Sequence, residues 1–197
     1  GGLIVISHDT GLLEATVTKA RALGPKGGAV TASVLLNCVD FNISMGKAGL
    51  AKEQALEAIA LREKIFPPNH PSLLFARMPL LRALRANQEY AEARRVADEL
   101  IEPIESVMGA NAPMLGDVHR ERAYACMELP DLDCALQSAQ VAVALLSERT
   151  PFVFQTTAYS ILVSVHMERK EWAKAVENCD RILAMAKSKG VPMQMVH

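Results

Sequence analysis

The sequence predicts an all-α fold made by repeating one antiparallel helix pair, and three observations carry that expectation. Half of the 197 residues are apolar, yet only 5% are aromatic. The apolar set is mostly Ala, Leu, Val, Ile and Met; Ala and straight-chain residues lose little freedom in a helix. The segments "GKAGLA", "NQEYAEA", "LPDLDCA" and "KEWAKA" align on Ala51, Ala93, Ala135 and Ala175, a period of about 42 residues. The register also extends along one helix face. Ala48, Tyr90, Leu132 and Trp172 precede the aligned Ala by three, Ala55, Ala97, Ala139 and Cys179 follow by four, and Ala58, Leu100, Ala142 and Ile182 by seven. Those offsets share a face. Small residues there let paired helices approach closely, and the larger turn residues, Tyr90 and Trp172 above all, are expected to close the end of each pair.

Taken in order, residues 1–24 read as an incomplete N-terminal repeat. "GLLEA" repeats the turn-plus-Ala pattern, so "LIVIS" is the tail of a first helix, with a short edge strand as the alternative. Four complete pairs follow over 25–190, at about 29–66, 71–109, 113–148 and 151–189. Their first (A) helices are expected at 29–45, 71–86, 113–128 and 151–168, and their second (B) helices at 49–65, 89–107, 131–147 and 171–188. Asn69-His70-Pro71 is matched one period later by Asn111-Ala112-Pro113, and Thr150-Pro151 serves the fourth pair. Asn can cap a helix and proline is tolerated in its first turn. Because His70 does not recur, "REKIFPPNHPSL" reads as a helix stop and restart rather than a metal or catalytic site. Lys187, Lys189, Gly190 and Pro192 form a C-terminal stop, leaving 191–197 as a tail. Pro79 falls inside the second A helix, either as a tolerated irregularity or as the first turn of a shorter helix.

A formal net charge of −1 gives no field for nucleic acid, and no apolar run reaches the length of a membrane-spanning helix. "GGLIVIS" lacks the basic start and cleavage site of a secretion signal. Cys38, Cys126, Cys134 and Cys179 fall inside helical apolar patterns, which suits reduced, buried thiols and a cytoplasmic protein; a Cys126–Cys134 disulfide is the lesser alternative. "GPKGG" has neither the strand nor the spacing of a phosphate loop. Asp117, His119, Glu121 and Cys126 in "DVHRERAYAC" do not converge on one face as ligands would, and His8 and His166 lack partners at a useful spacing. No nucleophile, base and orienting acid can be assembled. The expectation is therefore no enzyme, no cofactor and no metal.

The turn, apolar residue and Ala series, joined by "ALREKIFPPNHPSL", resembles the tetratricopeptide (TPR) repeats of kinesin light chain type over about residues 29–190. That resemblance implies a TPR-like right-handed superhelical solenoid of stacked antiparallel helix pairs, with a concave face lined by A helices. In that family an Asn in the A helix clamps the backbone of a bound peptide. Asn37 in "LLNCVDF" matches, whereas the equivalent residues in later pairs are Pro79, Glu121 and Ile161. A second segment, "LIEPIESVMGANAP", is similar to the C-terminal helical region of MYND-SET lysine methyltransferases, though no SET catalytic core is present.

Repeat phase then nominates groove residues 18, 15, 11 and 8 places before the aligned Ala. They are Ser33, Leu36, Asp40 and Ile43; Phe75, Met78, Arg82 and Arg85; Asp117, Arg120, Tyr124 and Met127; and Thr157, Ser160, Ser164 and Met167. Arg82, Arg85 and Arg120 would make a basic centre flanked by Phe75, Met78, Tyr124 and Met127, suited to a segment pairing acids with a bulky apolar residue. The competing account pairs these arginines with Asp117, Glu121 and neighbouring acids. The expected function is a non-catalytic protein-interaction module, a scaffold or adaptor whose partner is a protein or peptide. The alternatives are a regulatory or substrate-positioning appendage of an enzyme, or a structural assembly segment, including self-association through apolar "LIVI" of the N-terminal half-repeat.

Overall fold

The computed structural model describes residues 10–147 and 150–190, so "LIVIS", His8 and Pro192 lie outside the described residues. Helices account for the ordered elements, and no strand occurs among the described residues. They are α1 (Thr10–Arg21), α2 (Gly28–Ser44), α3 (Ala48–Glu63), α4 (Pro71–Ala86), α5 (Tyr90–Met108), α6 (Pro113–Glu128), α7 (Leu132–Ala144), α8 (Phe152–Glu168) and α9 (Trp172–Ser188), with a 3-10 turn at Pro25–Gly27. The chain divides into two compact units at Gln88–Glu89, in the turn between the two helices of the predicted second pair.

In the first unit α1 packs on α2, α2 on α3, and α3 on α4, while the A helices α2 and α4 lie side by side. Val17, Ala32, Leu35, Cys38 and Ala58 form its core. Ala51, Ala55 and Ala58 are fully buried, so α3 presents almost bare backbone to its neighbours. Two buried polar contacts set the register. Thr31 Oγ1 donates to the Ala20 carbonyl across α1 and α2 at 2.8 Å, and Asn42 Nδ2 donates to Gln54 Oε1 across α2 and α3, also at 2.8 Å. Each satisfies a group that burial would otherwise penalise.

The expected helix restart at 69–71 is present, with a different cap. Asn69 takes φ +62° and His70 is the N-cap, its Nδ1 accepting from the Ser72 N–H at 3.1 Å. Its ring stacks on Phe66, centroids 4.4 Å apart, and Arg62 donates to the Ser72 carbonyl at 2.6 Å. The stacking ring holds Nδ1 where an Asn or Ser oxygen would sit. Pro79 lies inside an uninterrupted α4, so the shorter-helix alternative is not adopted. Its missing N–H leaves the Phe75 carbonyl without the usual intrahelical donor.

In the second unit α5 through α9 pack successively, and the A helices α6 and α8 also touch. Its core joins Ala123, Cys126, Cys134, Ala135, Ala139, Ile161, Leu162 and Val165. Cys126 and Cys134 form a disulfide with a Cα–Cα distance of 5.8 Å, which corrects the expectation of reduced thiols there. The tight turn between α6 and α7 brings the last turn of one helix against the first turn of the next, closer than sequence patterning alone discloses. Asp131 caps α7, its Oδ1 accepting from the Cys134 N–H at 3.1 Å. Asn111 does not cap α6; the N-cap is Ala112, without a side-chain bond. At the far end Gly190 adopts φ +63° after α9, the left-handed stop that glycine tolerates.

Candidate functional site

In the first unit α2 exposes Ser33, Asn37 and Asp40, with Leu36 and Ile43 half-buried. Beside it, α4 exposes Phe75, whose 56% exposure is unusual for so large an apolar ring. Between the helices Arg82 donates through Nε and Nη2 to both Asp40 oxygens, at 2.7 and 2.9 Å. This fork is the planar recognition that arginine favours, made within the chain and one repeat period apart. Asp40 is the more exposed member, 60% against 24% for Arg82. Arg85 is half-buried, and Met78 is buried in the α4 core face.

The second unit treats its charges differently. Arg120 is buried, donating to Asp117 Oδ1 at 2.5 Å and Glu121 Oε1 at 3.2 Å, with its guanidinium carbon 4.0 Å from the Phe154 ring centroid. It is therefore withdrawn from any exposed basic centre. Tyr124 and Met127 are half-buried, and Tyr124 tilts against Tyr90 with centroids 6.4 Å apart. On α8, Ser160, Ser164 and Met167 are exposed and Thr157 is half-buried.

These placements correct the groove assignment at two residues. The position 15 before the aligned Ala is buried at Met78 and Arg120, half-buried at Leu36 and exposed at Ser160. The positions at 18 and 11 stay more accessible, through Ser33, Phe75, Asp40 and Ser164. Trp172, expected to close its pair, is 58% exposed. The aligned alanines Ala51, Ala93, Ala135 and Ala175 are all buried.

A set of ion pairs escaped the sequence reading. Arg21 binds Glu57 through two bonds, Arg94 meets Asp131 at 2.9 Å, and Arg169 meets Asp133. Arg122 reaches both Asp98 and the buried Ser138 hydroxyl, each at 2.5 Å. Arg21–Glu57, Arg82–Asp40, Arg94–Asp131 and Arg169–Asp133 are separated by 36 to 42 residues. Only Arg82–Asp40 matches the 42-residue period; the other three, at 36 or 37 residues, do not follow from the repeat.

His119 is held neutral chiefly by burial, with the Arg122 charge adding to the effect, and its Nδ1 has no hydrogen-bond partner among the described residues. His166 Nδ1 lies 2.7 Å from Glu171 Oε2, bracing the turn between α8 and α9, which corrects the expectation that His166 has no partner acid. Among the described residues no group of three or more His, Cys, Asp or Glu side chains could hold a metal ion, and no helix is long and apolar enough to cross a membrane.

No family model matches the sequence, and no curated protein sequence matches it. Solved structures do match the fold. A variant of a Podospora anserina kinesin light chain-type protein with nearly identical TPR-like repeats superposes with a TM-score of 0.71 at 19% identity, covering 91% of this chain and 86% of the other. A second structure of that protein gives 0.68 at 20% identity over 90% and 86%. BtubC (BKLC) from P. vanneervenii gives 0.74 at 14% identity over 91% and 72%. The fold is therefore that of TPR-like repeat proteins, in helices α1 to α9 described above.

Proposed function

We propose that the chain is a non-catalytic protein-interaction module, a scaffold or adaptor, that takes an extended partner segment along the A-helix face of its first unit. One observation carries the reading. Phe75 stands exposed on α4 and Asn37 stands exposed on the neighbouring α2, an apolar anchor and an amide able both to donate to and accept from a peptide backbone. The TPR-like fold supports a protein partner in general. A partner with a bulky apolar residue fits Phe75, and an acidic residue beside it would compete with Asp40 for the Arg82 fork. A formal charge of −1 offers nothing to nucleic acid. The cytoplasmic placement read from the sequence loses part of its support, since Cys126 and Cys134 are paired and Cys179 is exposed rather than buried.

The test starts from a random peptide library selected on the wild-type chain, followed by calorimetric titration of the best binder. Asn37→Ala and Phe75→Ala should each weaken it about tenfold or more, the scale of an interface anchor. Asp40→Ala should strengthen an acidic peptide by freeing Arg82. Unchanged affinity in both Asn37→Ala and Phe75→Ala sinks the reading.

A further inference from the structure

The second unit holds a buried titratable group that none of the contacts above uses. His119 lies on α6, half-buried, and its Nδ1 is shut off from solvent with no hydrogen-bond partner among the described residues. Burial of that kind disfavours the charged ring. The surroundings add to the penalty. Arg122 stands one turn further along the same helix face, and its guanidinium ties three helices together. Its Nε donates to Asp98 of α5 and its Nη1 to the buried Ser138 hydroxyl of α7, each at 2.5 Å. Asp98 also faces Arg94 at 4.0 Å, and Arg94 bonds Asp131, the N-cap of α7. One carboxylate is thus already shared between two arginines. At His119 the Arg122 charge, which opposes a proton, outweighs the Asp98 charge, which favours one. The remaining charges on the packed helices are engaged or turned to water. On α5, Arg95 binds Glu92 and Glu99, and Glu102 and Glu105 are exposed; on α6, Arg120 binds Asp117 and Glu121. On α7, Asp133 meets Arg169, and α8 brings Tyr159, Glu168 and His166, the last held by Glu171.

We infer that His119 is a proton switch on the contact between α5 and α6: neutral, it lets the two helices close, and protonated, it loosens them. The step is the transfer of one proton from solvent to the imidazole. In the closed unit that proton makes a third cation beside Asp98, and both ring nitrogens become donors, Nδ1 with nothing to accept from it. Moving α5 away from α6 hydrates the imidazolium and separates it from Arg122. Because the closed unit holds His119 below the ordinary histidine value, its contribution is whole above that value. It is lost as pH falls from the ordinary value toward the lowered one. Arg122 also reaches Ser138, so α7 feels the change next. Helices α2 and α3 of the first unit carry no histidine. The switch lies apart from the first-unit face given above to a partner segment, and stands or falls independently of that reading.

Hydrogen exchange at about pH 7.5 and about pH 5.5, either side of the ordinary histidine value, tests this, with protection taken relative to the unfolded chain at each pH. Protection of α5 and α6 should fall about threefold to tenfold, the range one histidine proton supplies over that span, while α2 and α3 keep theirs. His119→Gln places a neutral polar group at the site and should abolish the pH dependence, whatever its own stability. His166→Gln, on the neighbouring α8, should leave the dependence intact. In the wild-type chain the His119 ring should titrate below the ordinary histidine range by NMR. The chain has five histidines, and replacing the other four singly by Gln identifies the His119 resonance by elimination. Equal protection of α5 and α6 at both pH values overturns the inference, as does a loss that persists in His119→Gln. A His119 ring that titrates at or above the ordinary range overturns it too.

Discussion

Two A-helix arginines, one in each compact unit, are used in opposite ways. In the first, Arg82 forks onto Asp40 at the surface and spans two neighbouring A helices. In the second, Arg120 is buried against Asp117 and Glu121 of its own helix, under Phe154. A surface pair exchanges water for a partner at little net gain, so it can be traded for a ligand. A buried charge cannot be released without leaving its partners desolvated and unpaired. The difference separates a residue available for binding from one consumed by folding, although both are arginines on A helices.

The contrast is broken most severely at Arg120. Arg120→Ala should lower unfolding free energy by about 3 kcal/mol, because the buried Glu121 carboxylate loses this cation and Asp117 its part-exposed partner; urea denaturation measures it. A loss below about 1 kcal/mol would mean that Arg120 is held as loosely as Arg82. Next in size is the disulfide, present only in the second unit. Reduction should cost about 2–3 kcal/mol, and hydrogen exchange should show α6 and α7 loosening while α2 and α3 keep their protection. His70→Ala removes the cap of α4 and the ring stacked on Phe66, and about 1 kcal/mol should follow. Arg82→Ala should cost about 0.5 kcal/mol, and less in high salt.

The last effect shows only in acid. The Asp131 carboxyl is held below its usual range, chiefly by the Cys134 N–H and also by Arg94. Its stabilising contribution is therefore fully present above the ordinary carboxylate pKa and is lost as pH falls through the depressed folded value. Asp131→Asn should flatten that part of the acid-unfolding curve. An unaltered curve would show that the cap is not charge-assisted.

Much of the architecture was legible because prolines and small residues punctuate it. Pro71 and Pro113 stand at the first helical positions of α4 and α6, so both starts were read correctly. Helix α7 ends at Ala144 rather than 147, where no glycine or proline marks the stop. Side-chain geometry was less accessible. Repeat phase put Met78 and Arg120 on the groove face, since Arg is polar and Met is ambiguous, but a fraction of a turn separates inward from outward positions. A lone His gives no sign of capping until Phe66 is seen to hold its ring. The disulfide depended on how tightly the turn at Leu129–Asp131 closes. The Arg82–Asp40 fork was hidden for a different reason: its members are one whole repeat apart.

The most direct test measures peptide affinity and unfolding free energy on the same variants, using the peptide selected by the wild-type chain. Phe75→Ala should lose binding about tenfold with stability unchanged, because an exposed ring contributes little to folding. Arg120→Ala should lose stability while any molecules still folded bind the peptide as before. Binding that follows Arg120 and ignores Phe75 would contradict the account, moving the site from the first unit to the second.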